Sequence, residues 1–214
     1  MTQYRSSRAS SWGVPLHPLR RAEHLMAMPA SPAPISTIEE LLALPDDGLR
    51  HELLDGVHVV TPAPEYPHQT VLSEILVALH KALEGHAELQ VLASPADIVL
   101  SPRTLVQPDL FVIRRQPGQR IRKWRDVGVP LLAIEFLSPS TAARDRGAKR
   151  RIYQRAGVAE YWIVDLDARL VERWRPGDER PEVVSEELVW EPLPTVTARL
   201  DLPALFARVL GEPA

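Results

Sequence analysis

The chain is expected to fold as an α/β or α+β domain, a β-sheet with helices on its faces. Three observations predict this. Helix-like and strand-like periods follow one another as helix, hairpin, long helix, several strands, helix and hairpin. Asp55-Gly56 separates two short apolar runs, a strong signal for a two-residue hairpin. Leu131 to Leu137 is an apolar run of strand length, which reads as a buried central strand.

Each element has a local reason. Residues 1–34 read as a disordered extension, rich in serine, arginine, proline and alanine, with Met26 and Met28 as alternative starts to Met1. A single domain is expected over 35–214. Its first helix starts at Ser36 or Thr37, where Ser36 with Glu39 and Thr37 with Glu40 make two overlapping capping boxes. Arg50–Leu54 and Val57–Val60 are the hairpin strands, and Thr61 to Pro67, with three prolines, is a loop. From His68 to Leu83 the positions Val71, Leu72, Ile75, Leu76, Leu79 and Leu83 have helical spacing, and Gly85 stops the helix. Leu89–Leu92, Ile98–Leu100 and Leu110–Ile113 are strands, with a turn at Ser101-Pro102-Arg103. Gln116 to Gly128 is a basic loop. After the central strand a helix is expected over Ala142–Ala156, ended by Gly157. Tyr161–Asp165 and Leu170–Trp174 form a second hairpin, followed by short strands near Val183, Leu188–Trp190 and Val196–Leu200. Asp201 caps the last helix.

Composition narrows the function. The absence of cysteine removes disulfides, thiolate metal sites and cysteine nucleophiles, and fits a cytoplasmic protein. No apolar run approaches the roughly 18 residues of a membrane span, and the N-terminal segment lacks the apolar stretch of a signal peptide. No membrane partner is expected. Net charge is -3, yet twelve basic and only three acidic residues lie between Arg114 and Arg155. That stretch brackets Glu135 and is either a phosphate-seeking surface or a set of solvated faces.

Glu135 is the most telling residue, a lone carboxylate in the apolar run Pro130–Leu137. Burying it is costly unless a cation pairs with it, either a metal ion or an arginine. Asp109, after Pro108, stands at the start of another strand and is either a second acid of the same site or a strand-edge aspartate. Glu52 is either an inward acid, on the face of Leu54, or a hairpin surface residue paired with Arg50. Asp145, Lys149 and Tyr153 lie at i, i+4 and i+8 on one helix face, a spacing usually occupied by surface ion pairs. Lysine is scarce, three against 22 arginines, so Lys149 reads as a position needing a compact ammonium. His68 is a phosphate contact or a polar first-turn residue. No zinc-type histidine pair, glycine-rich phosphate loop or Gly-x-Ser-x-Gly elbow is present.

These pieces together resemble the Uma-type restriction endonuclease family, a branch of the PD-(D/E)xK nuclease superfamily. The matching segments are Glu52-Leu53-Leu54-Asp55-Gly56, His68, Pro108-Asp109, Ile134 to Ser140, Asp145 with Lys149 and Tyr153, and Gly157 to Asp165. The resemblance covers roughly 36–210. It implies a restriction-endonuclease-like central mixed β-sheet flanked by helices. It implies a Mg²⁺-dependent DNA endonuclease, with Mn²⁺ as the alternative ion. Asp109, Glu135 and the Phe136 carbonyl would hold the metal, Glu52 would be a third acid, and Lys149 would act on the attacking water or the developing charge. In that superfamily the lysine usually stands two residues after the glutamate; here that residue is Leu137, so Lys149 is expected to replace it. The implied DNA contacts are His68, Arg122, Lys123, Arg146, Arg150 and Tyr153. A symmetric homodimer, using an edge at the Tyr161–Trp174 hairpin, would suit double-strand cutting. The competing readings are a non-catalytic nucleic-acid-binding or regulatory domain on the same fold, and an interaction protein whose acids and bases pair with each other.

Overall fold

The computed structural model describes residues 34–212. The extension expected over 1–34 therefore lies almost wholly outside the described residues. Helix α1 (Ile38–Leu42) is capped by Thr37, whose hydroxyl accepts the Glu40 N–H while Glu40 reaches back to the Thr37 N–H. Strands β1 (Arg50–Leu54) and β2 (Val57–Thr61) form the hairpin, with φ of 53° at Asp55 and 86° at Gly56. Two positive φ values are what a tight primed turn requires, hence Asp-Gly. Helix α2 (Tyr66–Ala82) starts two residues earlier than predicted, because Pro67 sits in the first turn, where its missing N–H costs nothing.

Strands β3 (Leu89–Ala93), β4 (Ile98–Ser101), β5 (Thr104–Val106), β6 (Leu110–Arg114) and β7 (Leu132–Phe136) follow. β5 is too short to carry a period and is held by its pairing with β4 and β1. A 3₁₀ turn, Trp124–Asp126, lies in the basic loop between β6 and β7. The helix predicted over Ala142–Ala156 is present but not regular. It runs as α3 (Ala142–Arg144), a π-helical turn at Asp145–Lys149 and α4 (Arg150–Ala156). Gly157, at φ 79°, ends it in the left-handed conformation. Then come β8 (Glu160–Asp165), β9 (Leu170–Trp174), β10 (Glu182–Val184), β11 (Glu187–Leu193), β12 (Val196–Asp201) and α5 (Leu202–Leu210). Asp201 accepts the Ala204 N–H and caps α5.

The principal sheet has the order β10-β9-β8-β7-β6-β3, with β7 and β8 parallel and every other neighbouring pair antiparallel. A second antiparallel sheet has the order β2-β1-β5-β4, and β11-β12 is a separate pair. Since β10 covers β9, the Tyr161–Trp174 hairpin is not an edge and cannot pair with another copy as expected. β7 and its neighbours are buried on both faces, which is why the strand reads as a continuous apolar run rather than an alternating one. Its alternation still separates two cores. Leu132, Ile134 and Phe136 pack with α2 and α5; Ala133 lies on the other face with Phe111, Ile163, Ile152 and Tyr153. Burying each of Val71, Leu72, Ile75 and Leu79 against the first face contributes roughly 1.5–3 kcal/mol. Among the described residues no helix is long and apolar enough to cross a membrane.

Candidate active site

By the same alternation Glu135 shares the face of Ala133, under the helix that carries Lys149. The helix brings Lys149 fully into the protein, 1% exposed, and its Nζ lies 2.8 Å from Glu135 Oε1 and 2.8 Å from Glu52 Oε1. Tyr153, one turn on, donates to the same Glu135 Oε1 at 2.9 Å. Glu52 is fully buried on the side of Leu54 and accepts the Gln107 N–H at 2.7 Å. The surface readings of Glu52 and of the Asp145–Lys149 pair are thus overturned, because four-stranded sheet and helix close over these groups from opposite sides. The π turn is part of this. Within it Asp145, itself 1% exposed, and Lys149 both turn into the protein. Gly147 inside it weakens the regular α-helical alternative.

Asp109 meets this group from the start of β6. Its Oδ2 accepts the Phe136 N–H at 2.9 Å and stands 3.3 Å from His68 Nε2; its Oδ1 is 2.6 Å from Arg50 Nη1. Arg50 also donates to the Gln107 carbonyl. The sequence suggests Arg50 only as a partner for Glu52; the fold gives it to Asp109 instead. Its signal was the two-residue step from Glu52, which puts both on one face of β1.

The carboxylates are held in different states. Burial works to raise the Asp109 carboxyl, but the His68 and Arg50 contacts outweigh it and hold it down to about 2. Burial pushes Glu135 up to about 8; the Lys149 ammonium opposes this, and Asp109, Asp145 and Glu52 add to it. Burial also raises Asp145. Lys149 is lifted above the ordinary lysine value, the three surrounding acids overcoming the opposing effect of burial. It therefore stays an ammonium and serves as a donor and positive charge, not as a base.

All of these groups except Glu52 and Tyr153 line a cleft of about 960 Å³ between the β2–α2 loop, the end of β7 and the π turn. His68 lies in its wall, its ring tilted at 51° to the Phe136 ring with centroids 5.2 Å apart. Arg144 is held there by Thr61 Oγ1 at 2.9 Å. Of the remaining predicted DNA contacts only Arg146 reaches the cleft. Arg146 lines the cleft but is paired with Glu172 at 2.6 Å and Asp165 at 2.9 Å. Arg150 lies over the Trp174 ring, 4.7 Å from its centroid, and Tyr153 is fully buried against Glu135. Arg122 and Lys123 are exposed on the β6–β7 loop and do not line the cleft. They precede Glu135 closely in sequence, but antiparallel pairing puts that loop at the far ends of β6 and β7.

Among the described residues no three His, Asp or Glu side chains form a closed metal cage. The donor set suits an open site. A carboxylate has about four lone-pair positions. Asp109 Oδ1 spends one on Arg50, and among the described residues Glu135 Oε2 accepts no hydrogen bond. Among the described residues Glu52 Oε2 and Asp145 Oδ1 are buried and accept no hydrogen bond, although Arg144 Nε stands 3.9 Å from Asp145 Oδ1. The hard oxygens of Asp109, Glu135 and Asp145, with unused lone pairs and facing a roomy cleft, fit a Mg²⁺-type ion that keeps several waters.

A family model described as "Uma2: Putative restriction endonuclease" matches residues 38–205. A crystal structure from Anabaena variabilis, described as a putative nuclease belonging to DUF820, has the same fold. Its TM-score is 0.67 at 22% identity, over 81% of this chain and 98% of that one. The mixed sheet flanked by helices is thus restriction-endonuclease-like. No curated protein matches the chain.

Proposed function

We propose, from the premise that the chain belongs to the Uma2 family of putative restriction endonucleases, that it is a divalent-metal-dependent endonuclease acting on DNA. The observation that carries this reading is the position of Lys149. The slot two residues after Glu135 holds Leu137, and the helix delivers an ammonium to Glu135 instead, at 2.8 Å. Asp109, Glu135 and the Phe136 carbonyl would hold the ion. When bound, it would supply Lewis acidity toward a phosphate and a more acidic water.

The chain's own groups have separable tasks. Arg50, His68 and the Phe136 N–H keep Asp109 ionised and fixed. Tyr153 and Lys149 clamp one oxygen of Glu135 and leave the other toward the cleft. Lys149, permanently charged and with Glu52 as its second anchor, stabilises charge developing on the phosphate. Arg144 and His68, both lining the cleft, bind the flanking phosphate oxygens. Phosphate contacts position the strand without reading its sequence.

The test is nicking of supercoiled plasmid with Mg²⁺ or Mn²⁺ by the wild-type chain, Asp109→Ala and Glu135→Ala. Loss of cleavage in both variants is expected; equal nicking by all three sinks the assignment.

Metal affinity should also depend on pH. Burial raises the Glu135 carboxyl in the metal-free protein, to about 8, against the opposing Lys149 ammonium, so binding at pH 6 is expected to release a proton. Affinity for Mn²⁺ is expected to rise about tenfold per pH unit toward 8 and then level off, with proton release in calorimetry. For the metal-free fold the sign is opposite. A carboxyl whose pKa is raised on folding loses stability as pH climbs from its unfolded value through about 8. A pH-independent affinity would refute the assignment of Glu135 as ligand.

A further inference from the structure

We propose that the β6–β7 loop is a second nucleic-acid contact, a fixed cationic platform for duplex backbone outside the cleft. The choice of DNA as partner rests on the endonuclease reading; the platform itself rests on separate observations.

Arg114, Arg115, Arg120, Arg122, Lys123 and Arg125 are all exposed, and among the described residues none of them forms an ion pair. Elsewhere paired and unpaired surface arginines are mixed: Arg146, Arg155, Arg175, Arg199 and Arg208 each pair with a carboxylate, while Arg103, Arg151 and Arg180 stand singly without an ion pair among the described residues. The loop's one acid does not offset its charge. Asp126 Oδ2 is committed to the N–H groups of Lys123 at 3.1 Å and Arg122 at 3.4 Å. Clustered like charges repel each other, so leaving six unpaired side by side is costly unless an anion is to be bound.

The loop is also built to hold its shape. Gln116 N–H donates to Gln119 Oε1 at 3.0 Å, and Gln119 Nε2 to the Asp126 carbonyl at 3.2 Å. Val127 is buried in the core on the α4 side, with Ile121 packed against it. Trp124 meets Phe111 edge-on, 6.2 Å between centroids. A preorganised backbone carrying mobile cations loses little further freedom on binding.

Position decides what it binds. At ~3.4 Å per residue, Arg114 is about 17 Å along β6 from Asp109. Successive phosphates of one strand are also ~3.4 Å apart along a duplex. A duplex with its scissile phosphate in the cleft would therefore present phosphates to the loop about five nucleotides away. That is a backbone clamp that lengthens the footprint and leaves the chemistry untouched.

The test uses the full chain and a triple variant, Arg122→Ala, Lys123→Ala and Arg125→Ala. Binding to a 30-bp duplex is followed in EDTA, where no cleavage occurs. About tenfold weaker binding is expected, with a salt slope shallower by roughly 2.7, three contacts at ~0.9 each. Arg155→Ala, which removes an exposed arginine paired with Asp55, should change neither quantity. Hydrolysis of bis-p-nitrophenyl phosphate, too small to reach the loop, should be the same in wild type and triple variant. Wild-type affinity and slope in the triple variant overturn the proposal, and so does failure of the wild-type chain to bind duplex. Polyglutamate bound more tightly than duplex, and lost in the same variant, would assign the loop to an acidic protein and overturn it too. Loop-dependent binding without cleavage in any divalent metal would reject the nuclease reading and leave the platform standing. Metal-dependent cleavage with loop-independent binding would do the reverse.

Discussion

Lys149→Met is expected to abolish plasmid cleavage, by a factor of about 10²–10³ or more, and to destabilise the protein by about 3–5 kcal/mol. Methionine keeps the length and apolar stem of the side chain. What disappears is the one ammonium between Glu52 and Glu135, which are 0% and 3% exposed. Two buried carboxylates then face each other with no cation, and they answer by taking up protons or by opening the helix. Lys149→Arg should not rescue activity, because a planar guanidinium cannot occupy a point that an ammonium fills at 2.8 Å from two different oxygens. The double change Lys149→Met with Glu52→Gln separates the two effects. It removes one of the uncompensated charges, so stability in urea should recover in part while cleavage stays absent. A Lys149→Met protein that unfolds at the wild-type midpoint and nicks plasmid at the wild-type rate would contradict the whole account of the site.

The second large effect is expected at Asp109. Asp109→Asn preserves shape but cannot meet its present contacts. The carboxylate accepts from the Phe136 N–H and from Arg50 on separate oxygens; an amide has only one oxygen and must turn a donor toward one of those donors. Arg50, only 19% exposed, also loses its counter-charge. A loss of about 3 kcal/mol or more is expected in urea denaturation of the metal-free protein, along with loss of Mn²⁺ binding in calorimetry. The acid limb provides a further check. Asp109 has its pKa lowered from 3.8 to about 2 on folding, so it contributes stability above pH 4 that vanishes as pH falls through 2. At about 1.4 kcal/mol per unit this amounts to roughly 2 kcal/mol. The Asn variant should lack this component of the acid limb. An Asn variant with undiminished Mn²⁺ affinity would remove Asp109 from the ligand set.

Most secondary structure was legible because its causes are local. Capping by Thr37 and Asp201, the Asp55-Gly56 turn and the spacing of Val71 to Leu79 are settled within a few residues of chain. The departures are informative. Strand β5, three residues long, exists because neighbours pair with it. The π turn at Asp145–Lys149 leaves no periodic trace, since it shifts a single turn. The site was legible as a set of residue types in improbable places: a glutamate within an apolar strand, and a lysine in an arginine-rich chain. Its wiring was not.

The sequence alone determined most of the inventory: the longer strands and helices, the four acids Glu52, Asp109, Glu135 and Asp145, and the one lysine in their register. Period and capping act over a single turn or pleat, so they survive in one dimension. Tertiary structure decided the pairings. Packing of the four-stranded sheet against the helix put Glu52 and Glu135 on the same ammonium, and strand β1 brought Arg50 to Asp109. Antiparallel pairing of β6 with β7 placed Asp109 beside Glu135 and sent the basic loop to the other end of the same two strands. Charge is additive along a chain, but its effect depends on distance and burial. Only the fold separates the cations that serve the cleft from those that do not.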